Sequence, residues 1–375
     1  MTRLKIFLLV LLTSALAMAE VVPVPPQFVE PVQLPGEDPF SISKPAFSPD
    51  GAYVAAYIHG AKMLTVWDVK TQKVVAEIPE SVHGVDSPDG LDFSLDGKHL
   101  LLLRNILPMK TIDWRAGKVV KELDLKADPK KIWGYAYGPK QNLLALGTSD
   151  GIALWDLAAG KKLKQYQKGE NISGLDILVY TPPNKPTVRL LAYSRALVPP
   201  NNKFEHVAGI INLDTDKVTT ILDDVPADKK IQDKTTYTGI NFEYGGGHVL
   251  VTYFVFPPTV NAGAYLVNTW TGKYLANHEL GQKTIAYLPK YLWKPYYGFV
   301  ISTADLSQPM QPYGVATQFL VTTKDALKPI KTYTEADIPV QSLRFSNDNT
   351  KAAIVHKAGP SDPAKLFLYK VVPAK

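Results

Sequence analysis

Seven histidines, His59, His83, His99, His206, His248, His278 and His356, are the side chains best suited to acid–base or metal chemistry in this 375-residue chain. No two stand at i,i+2 or i,i+4, and HExxH is absent, so no short element presents a paired imidazole set for zinc. His99 and His248 each follow the same kind of turn, in Gly97-Lys98-His99 and Gly246-Gly247-His248, and that recurrence assigns them a structural role. No serine-hydrolase elbow is read from the sequence. Gly245-Gly246-Gly247 lacks the Lys-Ser/Thr of a phosphate loop and reads as a hairpin turn, where glycine supplies positive φ. Asp223-Asp224 falls in a polar connection and reads as a solvated pair. No catalytic residue, metal ligand or cofactor is assigned.

With no cysteine, disulfides, thiolate catalysis, Cys-ligated zinc, c-type haem attachment and a Cys-linked lipid anchor are all excluded. The first residues have the order of a secretory leader: Arg3 and Lys5, an apolar run Ile6 to Leu12, then Ala17-Met18-Ala19. The run is shorter than the ~20 residues of a membrane span. Cleavage after Ala19 is therefore expected, leaving a single domain over 20–375, periplasmic or secreted, with no membrane span. Arg3 and Lys5 leave with the leader, so the net charge of +6 falls to +4. Such a mild excess, without a basic stripe interleaved with aromatics, excludes nucleic acid as the expected partner. At 46% hydrophobic residues the chain has enough apolar surface for a large core without disulfides.

The elements that must carry any site are marked by a recurring turn. In Phe47-Ser48-Pro49-Asp50-Gly51 and Phe93-Ser94-Leu95-Asp96-Gly97 an aromatic-ended strand meets an Asp-Gly turn, and Phe345-Ser346-Asn347-Asp348-Asn349 repeats the figure. Exit signals follow at Trp67-Asp68 and Trp155-Asp156. A second turn, from Asp68, Asp113, Asp156, Asn212 and Asn268, leads to Lys73, Lys118, Lys161, Lys217 and Lys273, which are 45, 43, 56 and 56 residues apart. Propeller blades of the WD type take ~40 to 45 residues, so compact early blades and longer later ones are expected.

The fold predicted is all-β, a seven-bladed propeller with blades starting near Lys44, Gly90, Ile132, Ile172, Tyr237, Thr284 and Ile338. After Leu366-Phe367-Leu368-Tyr369-Lys370 no residues remain for a fourth strand. The upstream segment Gln27–Leu34 is expected to supply it and close the ring, with Pro31 tolerated because outer strands leave amides unpaired. Closure of this kind also removes open sheet edges.

These residues resemble the WD-repeat propellers, and more closely the exported bacterial proteins with divergent WD-like or YVTN-like blades, over roughly residues 27–372. The best match is Thr148-Ser149-Asp150-Gly151-Ile152-Ala153-Leu154-Trp155-Asp156. The resemblance implies a buried tetrad in which Thr148, Asp150 and Trp155 join a histidine from the preceding connection. Lys126–Lys131 holds no histidine, and His83 precedes a blade with Ile112 at the Trp position, so the tetrad is at best partial.

Three segments exceed the compact pattern: Arg195–His206, Phe256–Asn261 and Asp305–Tyr313. Each is placed between the second and third strands of its blade, so together they would raise a stiff wall on one face. Phe204, Phe256, Pro257, Pro258, Met310 and Tyr313 are its candidate anchors. A second aromatic group, Tyr287, Tyr291, Trp293, Tyr296, Tyr297 and Phe299, falls around the first turn of blade six. The function read from this pattern is a non-catalytic module that binds or scaffolds a protein in the cell envelope. The alternative is a propeller enzyme, hydrolase or lactonase-like or an oxidoreductase, with a metal or cofactor in the central channel.

Overall fold

Short apolar runs bounded by Asp-Gly, Asn and Pro turns fold here into antiparallel hairpins. The computed structural model describes residues 26–85, 88, 90–103, 109–124, 132–138, 142–181, 186–195, 208–227, 235–243, 246–255, 261–281, 283–287, 290–293, 296–305, 314–323, 326–334, 340–357 and 362–373. Among them the strands fall into seven antiparallel sheets. Five sheets run through four strands in chain order: 46–79, 90–123, 132–166, 172–221 and 235–281. The sixth, 283–334, adds a short strand, Lys290–Trp293, that pairs with Tyr296–Asp305. Sequence reading placed only a turn there.

In the seventh sheet, Val340–Phe345, Lys351–His356 and Ala364–Pro373 are joined by Pro26–Asp38, from the other end of the chain. That strand is longer than Gln27–Leu34. Its ladder shifts register between Val29 and Val32 and again between Gln33 and Glu37. Pro31 sits in the first irregularity, where no amide is required, and Glu30 beside it takes φ 52°.

Strand order explains burial. The second and third strands are apolar almost throughout because both faces of each sheet meet a neighbour; Leu143–Thr148 is buried at every position. The fourth strand lies at the rim, and Lys161–Lys164 are all exposed. Shared clusters run from sheet to sheet, Trp114 and Ile112 packing with Tyr57 and Leu64, and Ile240 and Phe242 with Leu190 and Ala192. The last sheet packs on the first, where Leu34, Val355 and Leu366 meet Val54 and Trp67. Approach is close enough that glycine is required at Gly134, where a Cβ would lie 1.9 Å from the carbonyl oxygen of Ser173 in the next sheet.

Two turn types hold this frame. At the first turn of sheets one, two and seven, the hydroxyl of Ser48, Ser94 or Ser346 donates to Asp50, Asp96 or Asp348 at 2.5, 2.6 and 2.6 Å. The same carboxylates accept the backbone N–H of Ala52, Lys98 and Thr350 at 3.0, 3.0 and 3.1 Å. Gly51, Gly97 and Asn349 follow with φ of 67°, 67° and 55°. At the third–fourth turn of sheets one to five, Asp68, Asp113, Asp156, Asn212 and Asn268 accept N–H groups from Thr71, Ala116, Ala159, Thr215 and Thr271 at 2.7–3.1 Å. These are Asx turns, closed by a left-handed residue such as Gly117 or Gly272.

Candidate functional site

An up-and-down four-stranded sheet sorts its connections between two faces. First–second and third–fourth turns leave on one, the turn face; second–third connections and links to the next sheet leave on the other, the connection face. Phe204, Phe256, Pro257, Pro258, Met310 and Tyr313 all belong to second–third connections, and all six lie outside the described residues. The strands that flank them place those connections at 196–207, 256–260 and 306–313, in sheets four, five and six.

The connection of sheet five, 256–260, is no longer than that of sheet two, 104–108, so it is not an insertion. The 56-residue step to Lys273 arises instead from the thirteen-residue link 222–234, which joins sheets four and five, and from eight-residue strands. That link opens on the connection face as well. The connection face therefore carries the longest additions, two connections and one link, while the turn face carries the seven-residue turn 181–187 and the extra strand Lys290–Trp293.

The described stems of this face are braced. Arg195, which starts the connection 196–207, holds Glu170 at 2.7 Å, and Glu170 lies in the link from sheet three to sheet four. The same link donates Gly169 N–H to Asp150 at 3.1 Å, and its Glu170 carbonyl accepts Gly151 N–H at 2.7 Å.

The tetrad implied by the resemblance is not assembled. Thr148 donates to the carbonyl of Gly151 at 3.1 Å and accepts the Asp150 N–H at 3.1 Å, while the buried indole N–H of Trp155 finds no acceptor among the described residues. The Asp150 carboxylate accepts a backbone N–H from the link. The string Gly147-Thr148-Ser149-Asp150-Gly151 has the spelling G-x-S-x-G, which the sequence reading passed over. It joins two antiparallel strands, Leu143–Thr148 and Gly151–Asp156, whereas a nucleophile elbow joins a strand to a helix.

The remaining repeat residues sit on the turn face. Asp50 and Asp96 are held below the usual carboxylate range by the hydroxyls of Ser48 and Ser94, and Asp68 and Asp113 by the N–H groups of Thr71 and Ala116. Trp67 is buried and donates to the carbonyl of Pro35 at 2.9 Å, tying sheet one to the N-terminal strand. Trp155 occupies the same repeat position in sheet three. His99 lies 3.9 Å from Asp96, whereas His248 binds the buried Glu243 at 2.7 Å, with glutamate standing where other sheets have serine.

One buried and one half-buried histidine lie on the connection face. His83 ends the short helix α1 (Glu80–His83) in the link from sheet one to two, and burial lowers its pKa. His356 stacks on Phe367 with ring centroids 4.3 Å apart, and burial lowers it to about 4. Both are neutral near pH 7. Among the described residues no three His, Asp or Glu side chains gather as a metal site. A small apolar cleft between sheets two and three is lined by Leu103, Met109 and Tyr137, and Asp92 at its wall is engaged by Arg344 at 3.2 Å.

No family model matches the chain, and comparison with curated proteins yields no match. Among solved structures, the crystal structure of the RRP9 WD40 repeats is similar with a TM-score of 0.63 at 10% identity, covering 92% of this chain and 100% of that one. At that identity the likeness concerns fold alone: the chain is an all-β protein with the fold of the WD40 repeat propellers.

Proposed function

We propose that this chain is an exported, non-catalytic, seven-bladed propeller whose connection face recognises a protein partner in the cell envelope. The observation that carries the reading is the segregation of length. The connections 196–207 and 306–313 and the link 222–234 lie on one face of neighbouring sheets, while the third–fourth turns of sheets one to five, on the opposite face, keep one geometry. A rigid scaffold with variable loops on one side is how propellers and other repeat folds carry recognition. The sequence puts Pro and aromatic residues there, Phe256-Pro257-Pro258 and Met310 to Tyr313, types that have little conformational freedom to lose on binding.

Changing Phe256 and Tyr313 together to Ala is expected to abolish capture of the main partner from envelope extracts while leaving the melting temperature in place. Capture at wild-type levels would refute the reading.

Closure of the ring is supported by the pairing of Pro26–Asp38 with Ala364–Pro373 and by the cluster shared between the first and last sheets. Export is supported by the basic, apolar and small-residue order of the first nineteen residues. Removing residues 20–35 takes away the Trp67 acceptor and the buried Leu34, and is expected to lower the melting temperature by roughly 10 °C or more. A truncated chain that melts with the intact one would overturn closure.

A further inference from the structure

Neighbouring sheets are joined by different means at different seams. Between sheets three and four the first strands meet backbone to backbone: a Cβ on Gly134 would lie 1.9 Å from the Ser173 carbonyl oxygen, and one on Gly147 2.5 Å from that of Ile172. Between sheets four and five a Cβ on Gly174 would lie 3.2 Å from the backbone of Gly239, and the buried Asp176 carboxylate accepts the Phe242 N–H at 2.8 Å. Sheets one and two share the rings of Tyr53 and Trp114, with centroids 4.8 Å apart. Sheet seven meets sheet one through the Trp67 indole on the Pro35 carbonyl and the Asn347 carboxamide on that of Pro49, at 2.9 and 3.0 Å.

The seam between sheets two and three is built otherwise. A ring stands between the two backbones, since a Cβ on Gly90 would lie 2.5 Å from the Tyr135 side chain. Beside it runs the small apolar cleft, which reaches from the first strands outward between Leu101, Leu103, Met109, Leu144 and Leu157. Trp155 packs in the cluster shared across this seam, and its indole N–H finds no acceptor among the described residues. Trp67, at the same repeat position, ties its sheet to the one before. At the rim the seam is pinned, for the Lys121 ammonium donates to the carbonyls of Leu157 and Ala158 at 2.8 and 3.3 Å. On the channel side Asp92, at the cleft wall, is engaged by Arg344, so sheet two is drawn toward sheet seven.

Atoms lining a void forfeit dispersion contacts, and an unmade buried hydrogen bond carries its desolvation cost. Both lower the cost of separating these two sheets. Separation breaks no ladder, because each sheet keeps its own backbone bonds, and local openings of this kind need far less free energy than global unfolding.

We infer that the ring parts at this seam: sheets two and three swing away from each other at the channel, about the rim contact of Lys121, and expose the cleft without unfolding. Sheets seven, one and two travel together on one side, sheets three, four and five on the other. Such opening gives the channel wall one place to yield, and it is independent of any partner on the connection face.

Because the chain holds no cysteine, one introduced thiol reports on one position. Leu103→Cys and Leu144→Cys face the cleft. Leu64→Cys, Leu191→Cys, Leu190→Cys and Leu366→Cys make the same change at comparably buried positions in the clusters of the other four seams. Modification by a dipyridyl disulfide is followed in the full-length chain, from water up to the urea unfolding transition. Thiols at 103 and 144 should react roughly tenfold faster than the other four or more, at a rate that urea leaves nearly unchanged, since parting two sheets exposes little new surface. The other four should react only as urea unfolds the chain. The urea slope, not the midpoint, separates the two routes, so a less stable variant remains readable. In the unaltered chain, peroxide should oxidise the buried Met109 by the same urea-independent route. Thiols at 103 and 144 that follow the urea dependence of the other four would overturn the inference. Oxidation of Met109 only on global unfolding would do the same, as would an equally fast, urea-independent reaction at position 366.

Discussion

The turn face and the connection face obey different rules. On the turn face, Asp68, Asp113, Asp156, Asn212 and Asn268 hold their turns with the same backbone bonds whether the next sheet follows after 43 residues or 56. On the connection face the second–third connection runs from two residues in sheet three, Ser149 and Asp150, to twelve in sheet four. The difference follows from what each must do. A third–fourth turn sets the register of the rim strand, and a slip there would swap its faces. A second–third connection joins strands already fixed by buried neighbours on both sides, so its length is free to change.

Acid separates the two faces. His356, at the connection end of its strand, is lowered to about 4 by burial, against 6.5 for an unperturbed histidine. Between those values the unfolded chain binds a proton that the folded chain refuses, so stability falls as pH drops from about 6.5 to 4, by up to ~3 kcal/mol. His83 shifts in the same direction and adds to the fall. On the turn face Asp50, Asp68, Asp96 and Asp113 are lowered below 3.8, so their contribution is present above that value and fades only beneath it. Urea unfolding from pH 7 to 3 should show two successive losses. His356→Gln, which keeps a hydrogen-bond partner for the Tyr369 hydroxyl, 3.0 Å from the ring nitrogen in the wild type, should shrink the first and spare the second. A first loss unchanged in that variant would break the assignment.

How far these features could be read in advance depends on the range of the bonds that make them. Ser48 and Asp50 are two residues apart, so their turn was legible, as were the Asx turns; the pairing of the N-terminal segment with the last sheet was legible from its apolar run. The ruler of lysines measured each repeat correctly yet misplaced the added length of sheet five, because one interval sums strands, connection and link. Lys290–Trp293 was hidden by the prolines and aromatics around it. Phe40, 70% exposed in the link from the N-terminal strand to sheet one, gave no local signal at all. Its display depends on Lys357, 317 residues away, and on Gly60 in another connection.

A smaller loss tests the turn face alone. Asp96→Ala removes the acceptor for the Ser94 hydroxyl at 2.6 Å and the Lys98 N–H at 3.0 Å, both at an exposed turn, and should cost about 1 kcal/mol by urea unfolding. Phe40→Ala, on the other face, should cost nothing measurable. Equal losses would erase the distinction between a face that holds the fold and one that is free to bind.

The finest comparison sets two tryptophans at one repeat position against each other. Trp67 and Trp155 are both buried third-strand residues, but the Trp67 indole N–H reaches the carbonyl of Pro35 at 2.9 Å, whereas that of Trp155 finds no acceptor among the described residues. Removing a made hydrogen bond and removing an unmade one differ in sign, because the unmade one already carries a desolvation cost. Both changes to Phe leave space behind, and that loss is common to the pair. Trp67→Phe should therefore be the more destabilising, by about 1–2 kcal/mol over Trp155→Phe. The gap should vanish when residues 20–35 are removed, since Pro35 leaves with them. A gap that survives the truncation would mean that Trp67 is held by its packing alone, and that the N-terminal strand is tied to sheet one by something other than this bond.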